Sequence, residues 1–286
     1  MRPKSHSYWP RAHFAGATTL TIGLMSIGLL ASAVMALGFA APAQAATPAI
    51  GECYNYPITV RDEVSSAAGA VSCTSAHTAE TYWTGSLKPT FGPPSKATPG
   101  ARLAATTACN TETLNAYVAM PGRTLPSRWL SFAIFPTDAQ WSAGERWVRC
   151  DAVFKTGLKL TNLTSKAADF VVATGIDYSN FCTPSQPNGR NTESYPCTDP
   201  KKNWIMVAAR DLGGPGTKFP GTSNVEKRTR AICSKIAKRY NGASKFPSWW
   251  AIWPTDRGWK EGRREAQCLV PLAQYNKEVA PVIPAG

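Results

Sequence analysis

Few side chains in this sequence could carry out catalysis, and histidine is the scarcest of them. The chain has three histidines, and His6 and His13 lie near its start, so His77 is the one left for the rest of the chain. It stands four residues after Cys73, and Glu80 follows three positions later. A His-Glu pair beside a cysteine could form a pH-sensitive contact or a ligand clamp, whereas a structural His would hydrogen-bond the local turn. His77 and Glu80 are therefore a candidate functional pair.

A second set of polar residues occurs in a segment that the sequence contains twice. The segment FPTDAQWSAGERWVRC, residues 135–150, recurs as WPTDRGWKEGRREAQC, residues 253–268. Asp138 and Asp256 are its shared carboxylates, and an acid pair for hydrolysis is conceivable. Each Asp also directly precedes a short helical turn, where its side-chain oxygen could cap the helix. We favour capping, because nothing in the sequence places the two carboxylates side by side.

Arg146 and Arg264 recur in the same motif. They could clamp a phosphate or carboxylate, but pairing with the Asp of their own motif is the simpler expectation.

The sequence has no Gly-x-Ser-x-Gly elbow, and GGPG at 213–216 lacks the Lys-Ser/Thr of a phosphate-binding loop. We therefore predict no catalytic residue, no metal and no cofactor. The alternative is a secreted hydrolase or a glycan- or lipid-modifying enzyme with an unrecognised site.

The first 45 residues have the pattern of a signal peptide. Arg2, Lys4 and Arg11 precede an uncharged apolar run that ends in Ala43-Gln44-Ala45, a small-x-small site suited to signal peptidase. The alternative is an uncleaved membrane anchor, since the apolar run is long enough to span a bilayer. Either reading places the folded part outside the cytoplasmic membrane, as a secreted or envelope-associated protein.

Eight cysteines divide into two sets of four, and the step from the second to the third is 36 residues in both sets. Export and the absence of Cys-x-x-Cys spacing predict four disulfides, which argues against a thiolate metal site. Three pairings are open within each set. The constant middle step favours the second cysteine with the third and the first with the fourth. The predicted bridges are Cys73–Cys109, Cys53–Cys150, Cys197–Cys233 and Cys182–Cys268.

The same periodicity predicts an α+β fold of two tandem disulfide-stabilised units, each a small antiparallel sheet packed by one helix. We place the units at 46–155 and 156–286, with the junction at 155–166. Within each unit, short aromatic and β-branched runs predict strands, including 169–182 at the start of the second unit. The other predicted strands are 79–83, 129–135, 146–154, 203–209, 249–253 and 264–272. Apolar residues at helical intervals predict a helix over 101–120 in the first unit and over 225–241 in the second.

Charge is unevenly shared between these units. The net charge of +13 falls to +10 without the first 45 residues, and from Thr156 onward nineteen Lys or Arg face ten Asp or Glu. We expect Ser223 or Asn224 to cap the second helix and Gly242 to end it. Its remaining faces are either a solvated surface or an anion-binding one. The candidate anion-binding residues are Lys227, Arg228, Arg230, Lys235, Lys238 and Arg239.

The first unit resembles a known family. Its Gly-Glu-Cys-Tyr opening at 51–54, the Cys73, His77 and Glu80 set, and the closing Trp-Gly-Arg-Cys pattern within 141–150 are similar to the septum-formation domain family of secreted and membrane-anchored actinobacterial proteins. The second unit lacks the Gly-acid-Cys opening and the His. The resemblance implies a role in division or envelope biology and a structural role for His77, Glu80 and the cysteines. It carries over no catalytic residue.

From this we expect an exported, non-enzymatic binding or scaffold protein of the cell envelope. A basic exported protein attracts anionic envelope polymers or lipid headgroups, and envelope or division proteins are further candidate partners. Nucleic acid is the least expected of them. The sequence does not specify an oligomeric state.

Overall fold

The computed structural model describes residues 47–123, 125–184, 193–199, 203–214, 216–240, 248–260 and 262–275, apart from the side chain of Asp62. These residues belong to one compact unit. They form an α+β fold with two antiparallel sheets and four disulfides, as predicted. The boundary between two tandem units stays a prediction.

The first sheet has the strand order β2-β1-β3-β5-β4, with β6 pairing to β5. Its central strand β5 is buried along most of its length, because side chains from other elements cover both faces of the sheet. The strands are β1 Cys53–Tyr54, β2 Ala70–Val71, β3 Ala79–Ser86, β4 Trp129–Ile134, β5 Trp147–Thr156 and β6 Lys159–Leu160.

Four short helices accompany this sheet: α1 Pro99–Ala105, α2 Thr111–Tyr117, α3 Asp138–Ser142 and α4 Ala167–Thr174. The predicted single helix over 101–120 is thus two helices. Thr106 bonds back to the Arg102 carbonyl at 3.0 Å, and Asn110 caps α2 by accepting from the Thr113 amide at 2.9 Å. Such side chains compete with helical hydrogen bonds, so the helix stops and restarts between them.

The strand predicted over 169–182 is wrong for most of its length. Residues 167–174 form α4, a turn of 3-10 helix follows at Ile176–Ser179, and strand geometry starts only at Cys182. Ala167 and Val171 are buried, four residues apart, with Phe170 half-buried between them. The burial therefore has the helical period, although the local Val-rich composition favours a strand.

The second sheet has the order β7-β8-β10-β9, the same as β1-β3-β5-β4 in the first. Its strands are β7 Cys182–Thr183, β8 Trp204–Asp211, β9 Trp250–Ile252 and β10 Glu265–Pro271, with helices α5 Thr222–Tyr240 and α6 Asp256–Lys260. The prediction of α5 is confirmed. It begins at Thr222, so Ser223 and Asn224 lie inside it and do not cap it, and Gly242 lies outside the described residues.

The predicted disulfide pairing is wrong in both sets. The bridges are Cys53–Cys73, Cys109–Cys150, Cys182–Cys197 and Cys233–Cys268, so the first cysteine pairs with the second and the third with the fourth. The first and third bridges tie the short strands β1 and β7 to the segments that follow them; β1 lies between β2 and β3, whereas β7 is at the end of its sheet. The other two tie the helical layer to the central strands β5 and β10. The constant spacing of 36 residues therefore separates two different bridges within each set. It is not the length of a loop that one bridge closes.

Candidate functional site

His77 lies in the core, immediately before β3. Its side chain is fully buried, and its backbone pairs with Leu163 through two hydrogen bonds of 3.0 and 2.7 Å. Nδ1 lies 2.9 Å from the Ser75 carbonyl oxygen, which makes Nδ1 the protonated donor and leaves Nε2 as an acceptor. Nε2 is buried with no hydrogen-bond partner. His77 therefore makes the local turn contact, but one of its nitrogens is unused.

Glu80 lies close by on β3 and is also buried. It accepts hydrogen bonds from the Tyr117 hydroxyl and from the Ala167 backbone amide, the latter at 2.6 Å. Lys166 provides no side-chain cap for α4, so the Glu80 carboxylate satisfies the first amide of that helix instead. Burial and the hydrogen bond to Glu80 raise the pKa of Tyr117, which keeps its hydroxyl a donor. One carboxylate thus holds β3, α2 and α4 together.

The structure brings the predicted pair together. Ligand atoms of Cys53, His77 and Glu80 all lie within 4.8 Å of one another. Cys53 and Glu80 face each other across the β1–β3 ladder, where they are register partners. Because all three side chains are buried, this cluster is not an open site for a soluble substrate.

The duplicated motif is a capped turn, but Asp is not the capping residue. Thr137 caps α3 by accepting from the Gln140 amide at 3.2 Å, and the Gln140 side chain accepts from the Thr137 amide at 2.9 Å. Thr255 occupies the equivalent position before α6 and accepts from the Gly258 amide at 3.1 Å. Asp138 and Asp256 are the first helical residues, where a negative charge complements the helix dipole.

Both aspartates are engaged within their own half of the molecule. Asp138 accepts from the Ser95 hydroxyl at 2.7 Å, and Asp256 pairs with Lys260 at 2.7 Å. The expected Arg–Asp pairing of the motif is wrong. Arg146 lies over the Trp141 ring at 3.8 Å and donates to the Trp141 carbonyl, and Arg264 likewise donates to the Trp259 carbonyl. The repeated arginines close the turn through backbone oxygens, which the carboxylates of the motif cannot do.

Sequence reasoning missed a buried charge cluster on the opposite side of the sheet. Asp151 is completely buried and accepts from Tyr56, Thr81 and Arg149 at 2.9, 2.7 and 3.0 Å. Burial raises the pKa of Asp151, and the Arg149 guanidinium opposes that rise. Arg149 lies 3.5 Å from the centre of the Tyr54 ring. Arg-x-Asp in a predicted strand was the available signal, since residues two apart share a face.

An open groove of about 470 Å³ lies beside that cluster. It is lined by Tyr56, Thr78, Lys159 and Leu160, among others. Tyr56 belongs to both the groove and the buried cluster, but its hydroxyl is already bound to Asp151. The groove therefore presents an apolar wall and one exposed cation, without a group positioned for catalysis.

The six candidate anion-binding residues are all exposed on α5. At 100° per residue, five of them fall within a 120° arc that points away from the sheet, and Ala231 and Asn224 are the other members of that arc. Within the part of the chain that the structure describes, these five make no ion pair. We call them the α5 basic face: Lys227, Arg228, Lys235, Lys238 and Arg239.

Arg230 lies outside this face. Its guanidinium pairs with Glu226 at 2.8 Å and lies 5.3 Å from the Trp253 ring centre. The buried side of α5 carries Val225, Cys233 and Ala237 against the sheet. The helix is therefore divided into an apolar side that is fully used in packing and a basic side that faces solvent.

The described residues include no helix that is both long and apolar enough to cross a membrane. All eight cysteines are bonded in pairs, which indicates an extracytoplasmic, oxidising environment.

Comparison with known proteins gave one match, which identifies the family of the chain. A search of curated proteins and a search of solved structures each found no similar protein. A family model described as septum formation matches residues 50–268, a span that includes the first sheet, the second sheet as far as Cys268 of β10, and all four disulfides. Membership indicates a role related to cell division. The chain belongs to the septum-formation family.

Proposed function

We propose that this protein is an exported, non-enzymatic binding protein of the cell envelope that acts in septum formation by attaching to anionic envelope polymers through the α5 basic face. The observation that carries the proposal is the arc of five cations on the solvent side of one helix, which form no ion pair with any other described residue. Family membership supplies the connection to division, and the helix supplies the binding surface.

A binding role fits better than catalysis because the candidate catalytic side chains are either buried or already bonded to other side chains. His77 and Glu80 are buried, and Glu80 holds two donors. Asp138 and Asp256 are bound to Ser95 and Lys260. These contacts support structural roles for Glu80, Asp138 and Asp256, and burial keeps His77 out of any open site, so none of the four candidate groups favours the enzyme alternative.

The chemistry of the surface favours a polymer with regularly spaced phosphates or carboxylates. Lys227 and Arg239 are twelve residues apart, so the face extends for roughly 18 Å along the helix at 1.5 Å per residue. Several anionic groups of one chain could contact it at once, and the field of the basic second half would attract such a chain.

A lipid headgroup offers the same charges, but α5 does not have the shape of a membrane-inserting helix. Such helices place free apolar residues in the interface. The apolar side of α5 packs on its own sheet, so contact with a bilayer would be electrostatic only. We therefore commit to a soluble or wall-linked polyanion, and vesicles serve as the second arm of the test.

The test compares two triple variants with the same change in charge. Lys235→Glu, Lys238→Glu and Arg239→Glu reverse the α5 basic face, while Lys88→Glu, Lys96→Glu and Lys159→Glu reverse exposed cations in the first half. Binding to immobilised teichoic acid should weaken at least tenfold in the first variant, given about 1 kcal/mol per cation. It should weaken much less in the second and should fall with added salt.

Equal weakening of the two variants would show that net charge, and not the helix face, determines binding. Tighter binding to vesicles of anionic phospholipid than to teichoic acid would assign the surface to the membrane. Wild-type protein that fails to bind either support would remove the proposal.

A further inference from the structure

The buried cluster of Cys53, His77 and Glu80 combines three features that point to a ligand. Their ligand atoms are already within 4.8 Å of one another, His77 Nε2 has no partner, and all three side chains are almost fully inaccessible to solvent. An unpaired buried nitrogen normally costs stability, since most buried polar atoms are satisfied. The capping role of Glu80 and the packing role of Cys53 do not explain why His77 Nε2 is buried without a partner.

The arrangement around His77 is the one that metal-binding histidines use. A ligating His usually donates its other ring N–H to a backbone carbonyl or carboxylate, which sets the tautomer and aims the free nitrogen at the metal. Here Nδ1 donates to the Ser75 carbonyl at 2.9 Å, which leaves Nε2 as the free acceptor.

The scaffold holds these ligands firmly. Cys53 and Glu80 are opposite one another in the β1–β3 ladder, and the His77 backbone is bonded twice to Leu163. Ligand atoms in a tetrahedral zinc site lie roughly 3.5 Å apart, given bonds of about 2.0–2.3 Å. The ligand atoms, at present within 4.8 Å of one another, would therefore have to approach to roughly 3.5 Å.

The Cys53–Cys73 disulfide blocks the site, because only a thiolate is a strong metal ligand. Cys53 is buried, but Cys73 is half-exposed, so a thiol reductant can attack the Cys73 sulfur. Two reductant thiols give up two electrons and two protons and become a disulfide, and the bridge becomes two cysteine thiols. Binding of a divalent ion to the Cys53 sulfur then releases the proton of that thiol.

We propose that reduction of the Cys53–Cys73 bridge creates a buried site for a tetrahedral divalent metal ion such as Zn²⁺, with Cys53, His77 and Glu80 as ligands and a water molecule in the fourth position. The mixed sulfur, nitrogen and oxygen set suits Zn²⁺ among the common divalent ions. The expectation from sequence that oxidised cysteines exclude a thiolate site does not apply to the reduced form.

The second sheet contains a matched control. Cys182–Cys197 has the same topology, with a buried first cysteine and a half-exposed second one. The residue opposite Cys182 across the ladder is Ile205, where the first sheet has Glu80. Reduction of this bridge yields two thiols without a carboxylate in that register position.

The experiment titrates Co²⁺, a coloured substitute for Zn²⁺, into the full chain after reduction with a phosphine, and follows thiolate-to-cobalt absorption. One equivalent should bind to the wild type and to the Cys182→Ser, Cys197→Ser double variant. The Cys53→Ser, Cys73→Ser double variant should lose the signal. His77→Ala should weaken binding by more than about 100-fold, since loss of an outer-shell group already costs 10–100-fold.

Each double variant removes one bridge of the same type, so a general folding defect would affect both. Equal absorption in the two double variants would overturn the proposal, as would unchanged affinity in His77→Ala. Circular dichroism of the reduced chain gives a further check. Unfolding that Co²⁺ does not reverse would also overturn it, because the site requires the β1–β3 pairing.

Discussion

At the scale of single residues, buried polar side chains add hydrogen bonds between elements that already share a hydrophobic core. Glu80 joins β3 to α2 and α4 through the Tyr117 hydroxyl and the Ala167 amide. Arg128 is fully buried between the rings of Phe154 and Tyr178 and donates to the Tyr178 carbonyl at 2.6 Å. Loss of such a contact destabilises the fold, because the remaining donor or acceptor stays buried without a hydrogen-bond partner.

Glu80→Gln should therefore destabilise the fold. The amide keeps one acceptor oxygen but turns an N–H group towards a donor, so one of the two bonds is lost. We expect about 1–3 kcal/mol less free energy of unfolding, measured by urea denaturation. Glu112→Gln on the exposed side of α2 is the control and should change it by less than about 0.5 kcal/mol. Equal effects would show that Glu80 is not a structural anchor.

Lys155 should make stability depend on alkaline pH. Burial and, to a smaller extent, the nearby Arg61 lower the pKa of Lys155 to about 8, and Glu193 opposes this shift. Between pH 8 and 10 the unfolded chain keeps the Lys155 proton and the folded chain releases it. The unfolded state then binds more protons, so stability should rise with pH in this window, by up to about 1 kcal/mol per pH unit.

Urea denaturation at several pH values checks this expectation. Lys155→Met should flatten the rise, whereas Lys159→Met, at an exposed position of β6, should preserve it. A rise of the same slope in Lys155→Met would assign the dependence to another group. The tyrosines with raised pKa values act in the opposite direction above pH 10, so the comparison stays below that value.

At the scale of elements, the duplicated motif is a short capped helix that leads into a disulfide-bonded strand. Thr137 and Thr255 begin the helices, and Gly144 and Gly262 follow them with φ of +97° and +88°, in the left-handed region that glycine favours. The motif recurs because each sheet needs the same turn at the same place.

Thr137→Ala should cost about 1 kcal/mol in urea denaturation, because it removes the capping oxygen. Thr137→Ser keeps that oxygen and should restore most of the loss. Asp138→Asn, next to it, should cost less than Thr137→Ala, since Asp138 contacts the Ser95 hydroxyl at the surface. A larger loss in Asp138→Asn would make Asp138 the cap after all.

Sequence patterns predicted the elements that have clear periodicity, and they failed where a distant partner decides. The helix α5 and strands β3, β4, β5, β8 and β10 follow from their own residues. The helix α4 depends on Glu80, which lies 87 residues earlier in the chain and satisfies its first amide. The disulfide pairing depends on which strands are neighbours, and sequence spacing does not contain that information. Likewise, only the folded sheet shows that Tyr56 and Thr81 surround Asp151.

At the scale of the whole molecule, the two sheets share a strand order and a disulfide pattern but differ in what they add to it. The first sheet adds the buried polar groups around Glu80 and Asp151. The second adds the α5 basic face. The polar core gives this member of the septum-formation family a fixed shape, and the basic surface is the one through which we propose that it binds an anionic partner.

The most direct test is the position of the fluorescently tagged full chain in dividing cells of its source organism. Wild-type protein and the Lys88→Glu, Lys96→Glu, Lys159→Glu variant should concentrate at the forming septum. The Lys235→Glu, Lys238→Glu, Arg239→Glu variant should spread around the envelope at the same abundance. Concentration of that variant at the septum, or an even distribution of the wild type, would contradict the account.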